Sequence, residues 1–287
     1  MQKYIVSGSR DAKIKIWDFE IRDYLKILEG HSYVNSVTIS LDGKYIVSGS
    51  NDGTIKIWDI KVGECLRTLK GHSNSVKSVT ISPNGKYIVS GDGFLLDGTI
   101  KIWNIKTGEC SRTIKGHLSS VNSVIINPDE KYIVSGDGFV VDGTIKIWDI
   151  KTAKCLKTLE GHSSSVNSVT ISPDEKYIIS GSLDETIKIW DIRTGECLNT
   201  LEGHSSFVDS VTISLDGKYI VSGSSDKTIK IWDIKTGECL NTLEEHKYSV
   251  NSVTISPDGK YIVSGSADST IKIWDIRTGE CLNTLEG

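Results

Sequence analysis

The chain repeats itself with a nearly fixed period. Seven tryptophans, Trp17, Trp58, Trp103, Trp148, Trp190, Trp232 and Trp274, are separated by 41, 45, 45, 42, 42 and 42 residues, and His31, His72, His117, His162, His204 and His246 keep step with them. Such a period constrains the fold more tightly than composition does, because each unit must be one supersecondary element that stacks on its neighbours. The unit from Gly161 to Glu202 reads GHSSSVNSVTISPDEKYIISGSLDETIKIWDIRTGECLNTLE. Its apolar residues alternate within short runs separated by turn sequences, which is strand periodicity. In typical copies the runs are VNSVTIS, KYIVSGS, TIKIWD and CLNTLE, here termed strands a, b, c and d. The a–b turn carries Pro at its second position in four copies, the b–c turn Asp-Gly or Asp-x, and the c–d turn a KTGE-like sequence. Pro presets φ for a turn, and little sequence remains for helix.

A four-stranded sheet of this size cannot bury both faces alone, yet strand b places Tyr45 and Val47 on one face and Ile46 on the other. Radial stacking of sheets covers both faces and leaves only short edges. The Gly-His opening, the Asp of the b–c turn and the Trp-Asp that closes strand c resemble the WD-repeat family over essentially the whole chain. Small departures are Glu245-His246 in place of Gly-His and Trp103-Asn104 in place of Trp-Asp. The resemblance implies an all-β, seven-bladed β-propeller in a single domain, 1–287, with blades near 1–29, 30–70, 71–115, 116–160, 161–202, 203–244 and 245–287. Strands b, c and d occur seven times but strand a only six, since the sequence runs from b (Lys3 to Ser9) to d (Cys281 to Gly287). Six blades should therefore have four strands, and the first should have three, lacking the innermost. Truncation of a longer product would explain this. So would an open edge on blade 1 that self-associates by accepting a strand from another chain.

Charge and composition narrow the function classes. With 33 Lys and Arg against 37 Asp and Glu, the net charge is −4, with no polybasic tract, so nucleic acid is not an expected partner. No apolar run approaches the roughly 20 residues of a membrane span, and the first residues lack a secretory signal pattern, so no membrane association and a cytoplasmic location are expected. The six cysteines, Cys65, Cys110, Cys155, Cys197, Cys239 and Cys281, all open strand d. Equivalent positions in neighbouring sheets are too far apart to bridge, so small buried hydrophobes are expected there. No C-x-x-C or H-x-x-x-H pair occurs, and GDGFLLDG and GDGFVVDG join strand to strand, so no metal and no cofactor is expected.

Each complete unit also carries the residue types of a nucleophilic triad: His31, Ser48 and Asp52 with Trp58, then His72, Ser90 and Asp97 with Trp103, and onward to His246, Ser264 and Asp268 with Trp274. The family resemblance implies a hydrogen-bond chain from indole through Ser and His to Asp, a structural role repeated six times. Blade 1 has Ser7, Asp11 and Trp17 but no His, so its chain should be open.

Specific function should lie where one copy departs from its siblings. The b–c loop is three residues longer in blades 3 and 4, bringing Phe94, Leu95 and Leu96, and Phe139, Val140 and Val141; Leu183 continues the apolar run in blade 5. The d–a loops add Leu118 and Phe207, with Tyr33 and Tyr248, where other copies carry Ser or Asn. About seven such side chains would expose roughly 400 to 700 Å², the scale of a docking patch. Inward packing of Phe94 and Phe139 is the competing expectation. The expected function is a non-catalytic scaffold that binds a protein or peptide on this top face. The alternatives are a regulatory or sensor fragment of a larger multidomain protein, and an enzyme using the central channel. The inner-strand variables Asn35, Lys77, Asn122, Asn167, Asp209 and Asn251 offer little for catalysis, and the strand c lysines, Lys15 to Lys272, read as solvated.

Overall fold

The computed structural model describes residues 4–19, 23–93, 98–138 and 143–286. The fold is all-β, a seven-bladed β-propeller with one blade of three strands and six of four, and no helix occurs among the described residues. Sheet 1 contains β1 (Tyr4–Gly8), β2 (Lys13–Asp18) and β3 (Tyr24–Glu29). Sheet 2 contains β4 (Val34–Ile39), β5 (Tyr45–Ser50), β6 (Ile55–Asp59) and β7 (Cys65–Leu69). Sheet 3 contains β8 (Val76–Ile81), β9 (Tyr87–Asp92), β10 (Thr99–Asn104) and β11 (Cys110–Lys115). Sheet 4 contains β12 (Val121–Ile126), β13 (Tyr132–Asp137), β14 (Ile145–Asp149) and β15 (Cys155–Leu159). Sheet 5 contains β16 (Val166–Ile171), β17 (Tyr177–Ser182), β18 (Ile187–Asp191) and β19 (Cys197–Leu201). Sheet 6 contains β20 (Val208–Ile213), β21 (Tyr219–Ser224), β22 (Ile229–Asp233) and β23 (Cys239–Leu243). Sheet 7 contains β24 (Val250–Ile255), β25 (Tyr261–Ser266), β26 (Thr270–Asp275) and β27 (Cys281–Glu286).

Residues 1–139 and 146–156 form one compact unit, and residues 140–145 and 157–287 a second. In the first unit, Ile14, Ile16 and Leu28 of sheet 1 pack on Val34, Ile46 and Trp58 of sheet 2. The opposite face of sheet 2 offers Val47, Ile55 and Ile57 to Val76, Val79 and Trp103 of sheet 3. Period-two alternation thus sends Ile46 and Val47 to different cores, as the sequence predicts. Each fully buried side chain contributes about 1.5–3 kcal/mol. The second unit repeats this: Ile179, Ile187 and Ile189 pack on Val208, Val211 and Trp232, and Val221, Ile229 and Ile231 on Val250, Val253 and Trp274.

Two further contacts explain conserved-looking features of the repeat. A Cβ built on Gly181 would lie 2.6 Å from Val208 Cγ1 and 2.9 Å from Val211 Cγ1, so the Ser-Gly step of strand b lets the next sheet approach. Val79, Val211 and Val253 each donate their backbone N–H to a Ser of the preceding strand a, Ser36, Ser168 and Ser210 respectively, all at 3.1 Å. Sheet 1, without a strand a, leaves the free edge of β1 uncovered among the described residues.

The Trp-Asp departure in sheet 3 is harmless for a local reason. Asn104 Oδ1 accepts the amides of Lys106 and Thr107 at 2.9 and 3.0 Å, just as Asp233 Oδ1 accepts those of Lys235 and Thr236. Only an acceptor is required, and a carboxamide supplies it.

Candidate interaction face

The six histidines occupy the loops that enter strand a, and the network around them is complete in sheets 2, 5, 6 and 7. In sheet 5 the Trp190 indole donates to Ser180 Oγ at 2.8 Å, His162 Nε2 lies 2.7 Å from the same oxygen, and His162 Nδ1 lies 2.7 Å from Asp184 Oδ2. Thr186 Oγ1 donates to Asp184 Oδ1 at 2.7 Å, and the Ser163 amide donates to Oδ2 at 3.0 Å. Since the carboxylate can only accept, Nδ1 carries the proton and Ser180 donates to Nε2; this tautomer follows from the network. Sheets 2, 6 and 7 match this arrangement through Ser48, Ser222 and Ser264.

The triad-like serines are closed to chemistry by their surroundings. Ser48, Ser90, Ser135, Ser180, Ser222 and Ser264 are each 0% exposed, and each hydroxyl already receives an indole N–H. A nucleophile needs a path to substrate, which these oxygens lack. Burial opposes ionisation of Asp52, but the Thr54 hydroxyl and amide and the His31 ring prevail and hold its carboxyl down at about 2. Burial likewise pushes the imidazoles of His31 and His246 below their ordinary range, against the pull of Asp52 and Asp268.

Sheets 3 and 4 correct one expectation. The acid that meets His72 is Asp92, at 2.9 Å, and not Asp97, which lies outside the described residues; the acid that meets His117 is Asp137, at 2.7 Å. Asp92 ends strand b, paired with Val76, where Ser50 pairs with Val34 in sheet 2. The carboxylate therefore comes from the strand, two positions earlier than in the other sheets, and Thr99 Oγ1 still caps it at 2.7 Å. Asp92 and Asp137 are almost fully buried. In sheet 4 the approach is close but poorly aligned, leaving His117 Nδ1 without a well-directed acceptor. Moving the acid into the strand frees the loop that follows to lengthen. The sequence signal was available: YIVSGD replaces YIVSGS in these two copies only.

The b–c and d–a loops emerge at one end of each sheet. Asn51 N donates to Tyr33 O at 3.0 Å, Leu183 N to Ser165 O and Ser225 N to Phe207 O at 2.9 Å, each bond tying a b–c turn to the d–a loop of its own sheet. Within the first unit, Leu118 is 79% exposed. It adjoins Ser119 and Ser120, whose backbones flank the ends of the long loop of sheet 3: Gly98 N donates to Ser119 O at 3.1 Å, and a Cβ on Gly93 would strike Ser120. Tyr33 is also exposed. Within the second unit Phe207 is 45% exposed, Tyr248 is exposed and Leu183 is half-buried. Phe94, Leu95, Leu96, Phe139, Val140 and Val141 lie outside the described residues.

Other positions refine the picture. Five of the cysteines are exposed and Cys281 is half-buried, which corrects the expectation of burial; all six are free thiols. Strand d is a sheet edge on which only the Leu69-like position is buried, so its first residue faces outward. The strand c lysines are less solvated than expected: Lys56, Lys101, Lys188, Lys230 and Lys272 donate to a strand d Thr hydroxyl at 2.8 to 2.9 Å. Glu245, replacing the Gly of Gly-His, places its carboxylate 3.4 Å from Lys272. That pair borders a polar cleft of about 420 Å³ on sheet 7, together with Lys247, Asp268 and Glu286. The inner-strand variables brace neighbouring strands: Asn35 Nδ2 donates to Ser75 Oγ at 2.9 Å and Val76 O at 3.0 Å, and Asp209 accepts from Ser225 at 2.6 Å, burial raising its carboxyl. Among the described residues no group of three His, Cys, Asp or Glu is placed to hold a metal.

No curated protein matches the chain. The family model described as WD domain, G-beta repeat matches residues 1–18, 22–59, 63–104, 108–149, 153–191, 195–233 and 237–275. A typical match, 22–59, spans β3 to β6, so the sequence unit takes strand d of one sheet with strands a, b and c of the next, whereas the first match holds only β1 and β2. Propellers of this kind generally serve as protein-interaction scaffolds. With seven matched segments running from residue 1 to residue 275, each ending on its Trp-Asp or Trp-Asn step, the chain belongs to the WD40 repeat family.

Proposed function

We propose that the chain is a non-catalytic scaffold that binds a protein or peptide through the loop end of its sheets. The reading rests on one observation: large apolar side chains, Leu118 and Phe207 above all, stand exposed at loop positions where most sister copies carry Ser. Ordered loops on a rigid repeat scaffold are where such proteins vary. Leu183 belongs to the same set, as do Phe94, Leu95, Leu96, Phe139, Val140 and Val141 by sequence. A peptide partner with apolar anchors fits this chemistry, and the mildly acidic charge gives no support to nucleic acid.

The test is selection of binding peptides against the intact chain from a displayed library, followed by Leu118→Ser, Phe207→Ser and the paired Phe94→Ala, Phe139→Ala exchange. We expect at least one of these to weaken the selected peptide by about tenfold or more, with the melting temperature within about 2 °C of the parent. Undiminished binding by all three variants would remove the proposal.

A further inference from the structure

Two cationic departures from the repeat come together in the first unit. The second position of strand a is Asn35, Asn122, Asn167 or Asn251 in four sheets and Asp209 in another, but Lys77 in sheet 3. The residue before the turn Asp is Asn51 in sheet 2 and Arg10 in sheet 1, and no other copy places a basic residue there. Sheet 2 links these two positions. The Val34 amide donates to Ser9 O at 3.1 Å, which seats the residue before Asn35 against the residue before Arg10. Asn35 Nδ2 in turn donates to Ser75 Oγ at 2.9 Å and to Val76 O at 3.0 Å, next to Lys77 in the bulge of β8. Asn51 Oδ1 accepts the Ser75 hydroxyl at 2.6 Å, which leaves Asn51 Nδ2 as a donor with no partner among the described residues.

Neither cation is neutralised. Among the described residues the side chains of Lys77 and Arg10 make no ion pair and no hydrogen bond. Lys56 and Lys101 of the same unit, by contrast, each donate to a Thr hydroxyl at 2.8 Å. Lys77 is half-buried, and burial together with the Arg10 guanidinium pushes its ammonium below the usual range. The charge that acts on it is thus a second cation and not a carboxylate. Asp11, next to Arg10 in sequence, uses Oδ1 to accept the Lys13 amide at 3.0 Å. A partly desolvated cation beside another cation is costly unless an anion joins them.

We propose that Lys77, Arg10 and the Asn51 side-chain amide form a binding site for a phosphate monoester. Two cations match the charge of about −1.5 to −2 that such a group carries at pH 7, whereas a carboxylate would neutralise only one of them. The guanidinium fork and the ammonium supply charge-assisted donors to its three oxygens, and Asn51 Nδ2 supplies a neutral one. The site goes beyond the scaffold reading, which rests on apolar side chains. None of its residues belongs to that set, and its ligand needs no apolar anchor.

The probes are phenyl phosphate and a short peptide of Ala residues around one phosphoserine, titrated into the intact chain at fixed ionic strength, with acetate as the reference. Phenyl phosphate should bind saturably and at least about tenfold more tightly than acetate, and nitrogen-15 spectra should show their largest shifts at the Asn51 side-chain amide and the Lys77 backbone amide. Lys77→Asn and Arg10→Asn, which bring in the residue type that sister copies carry, should each weaken binding by about tenfold or more, the loss expected of a hydrogen bond to a charged group. Their melting temperatures should stay within about 2 °C of the parent, and the spectral shifts of the parent locate the site even if a variant fails to fold. A phosphopeptide bound more tightly than phenyl phosphate assigns the ester to a protein partner, and equal or weaker binding assigns it to a small molecule; both outcomes uphold the site. Absence of saturable binding, acetate bound as tightly as phenyl phosphate, shifts confined to other residues, or parental affinity in both variants would each overturn the proposal.

Discussion

Sheets 1 and 5 carry the same strand b and strand c pattern, yet they are finished to different degrees. Both make the indole bond, Trp17 to Ser7 at 2.9 Å and Trp190 to Ser180 at 2.8 Å. Ser180 is fully buried and meets His162, whereas Ser7 is half-exposed and meets no ring. The indole bond therefore belongs to the b–c hairpin alone, which pairs Ser7 with Lys15 and Ser180 with Lys188 in the same register. The His and Asp belong to a second layer, which fastens the loop before strand a to a hairpin already formed. One sheet has the first layer; the other has both.

The largest contrast should appear in amide exchange. The uncovered edge of β1 should exchange at least about a thousandfold faster than β17, a difference of about 4 kcal/mol in local opening, read by mass spectrometry on peptic fragments. Equal protection would mean that the fourth strand adds nothing. A smaller contrast should follow from the serines. Ser180→Ala strips a buried indole and a buried imidazole of their partner and should cost about 2–3 kcal/mol, while Ser7→Ala strips only the buried Trp17 indole, beside a half-exposed hydroxyl, and should cost less, about 1 kcal/mol. Urea midpoints of the two variants check this, and equal costs would dissolve the two-layer account.

Much of this was legible in the sequence, and the exceptions have physical causes. The period of the tryptophans and the alternation of Ile46 and Val47 suffice for the sheets, because burial on two faces leaves few other solutions. Three strands in sheet 1 follow from counting copies of VNSVTIS. In sheet 3 a fixed turn position points to Asp97, whereas the acid beside His72 is Asp92. A carboxylate two residues earlier reaches the same ring nitrogen, since strand ends and turns crowd the same few ångströms. Residue type alone makes Cys65 and its equivalents small buried hydrophobes, but their place at the start of an edge strand leaves five of the six exposed. The exposure of Leu118 and Phe207 was legible only as departure from the Ser of most sister copies, which marks difference without fixing direction.

The smallest effect concerns acid, and its sign follows from the second layer. The Asp184 carboxyl is desolvated, but His162 and Thr186 outweigh that and hold it well below its ordinary 3.8; Asp226 and Asp268 behave alike. A depressed carboxyl adds stability that is complete above 3.8 and is lost as pH falls through the folded value. Burial also holds His31 and His246 below 6.5, so their neutral rings stabilise the fold above that pH and lose this contribution as pH falls below it. Both groups therefore act in one direction, and the urea midpoint should fall steadily from pH 7 to pH 3. Asp184→Asn should cost about 1 kcal/mol at pH 7 and flatten the limb below pH 3.8, because an amide oxygen can accept from Nδ1 without charge. A midpoint that rose on acidification from pH 7 to pH 5 would mean that the rings are held as cations, reversing the tautomer on which the buried serines' role depends.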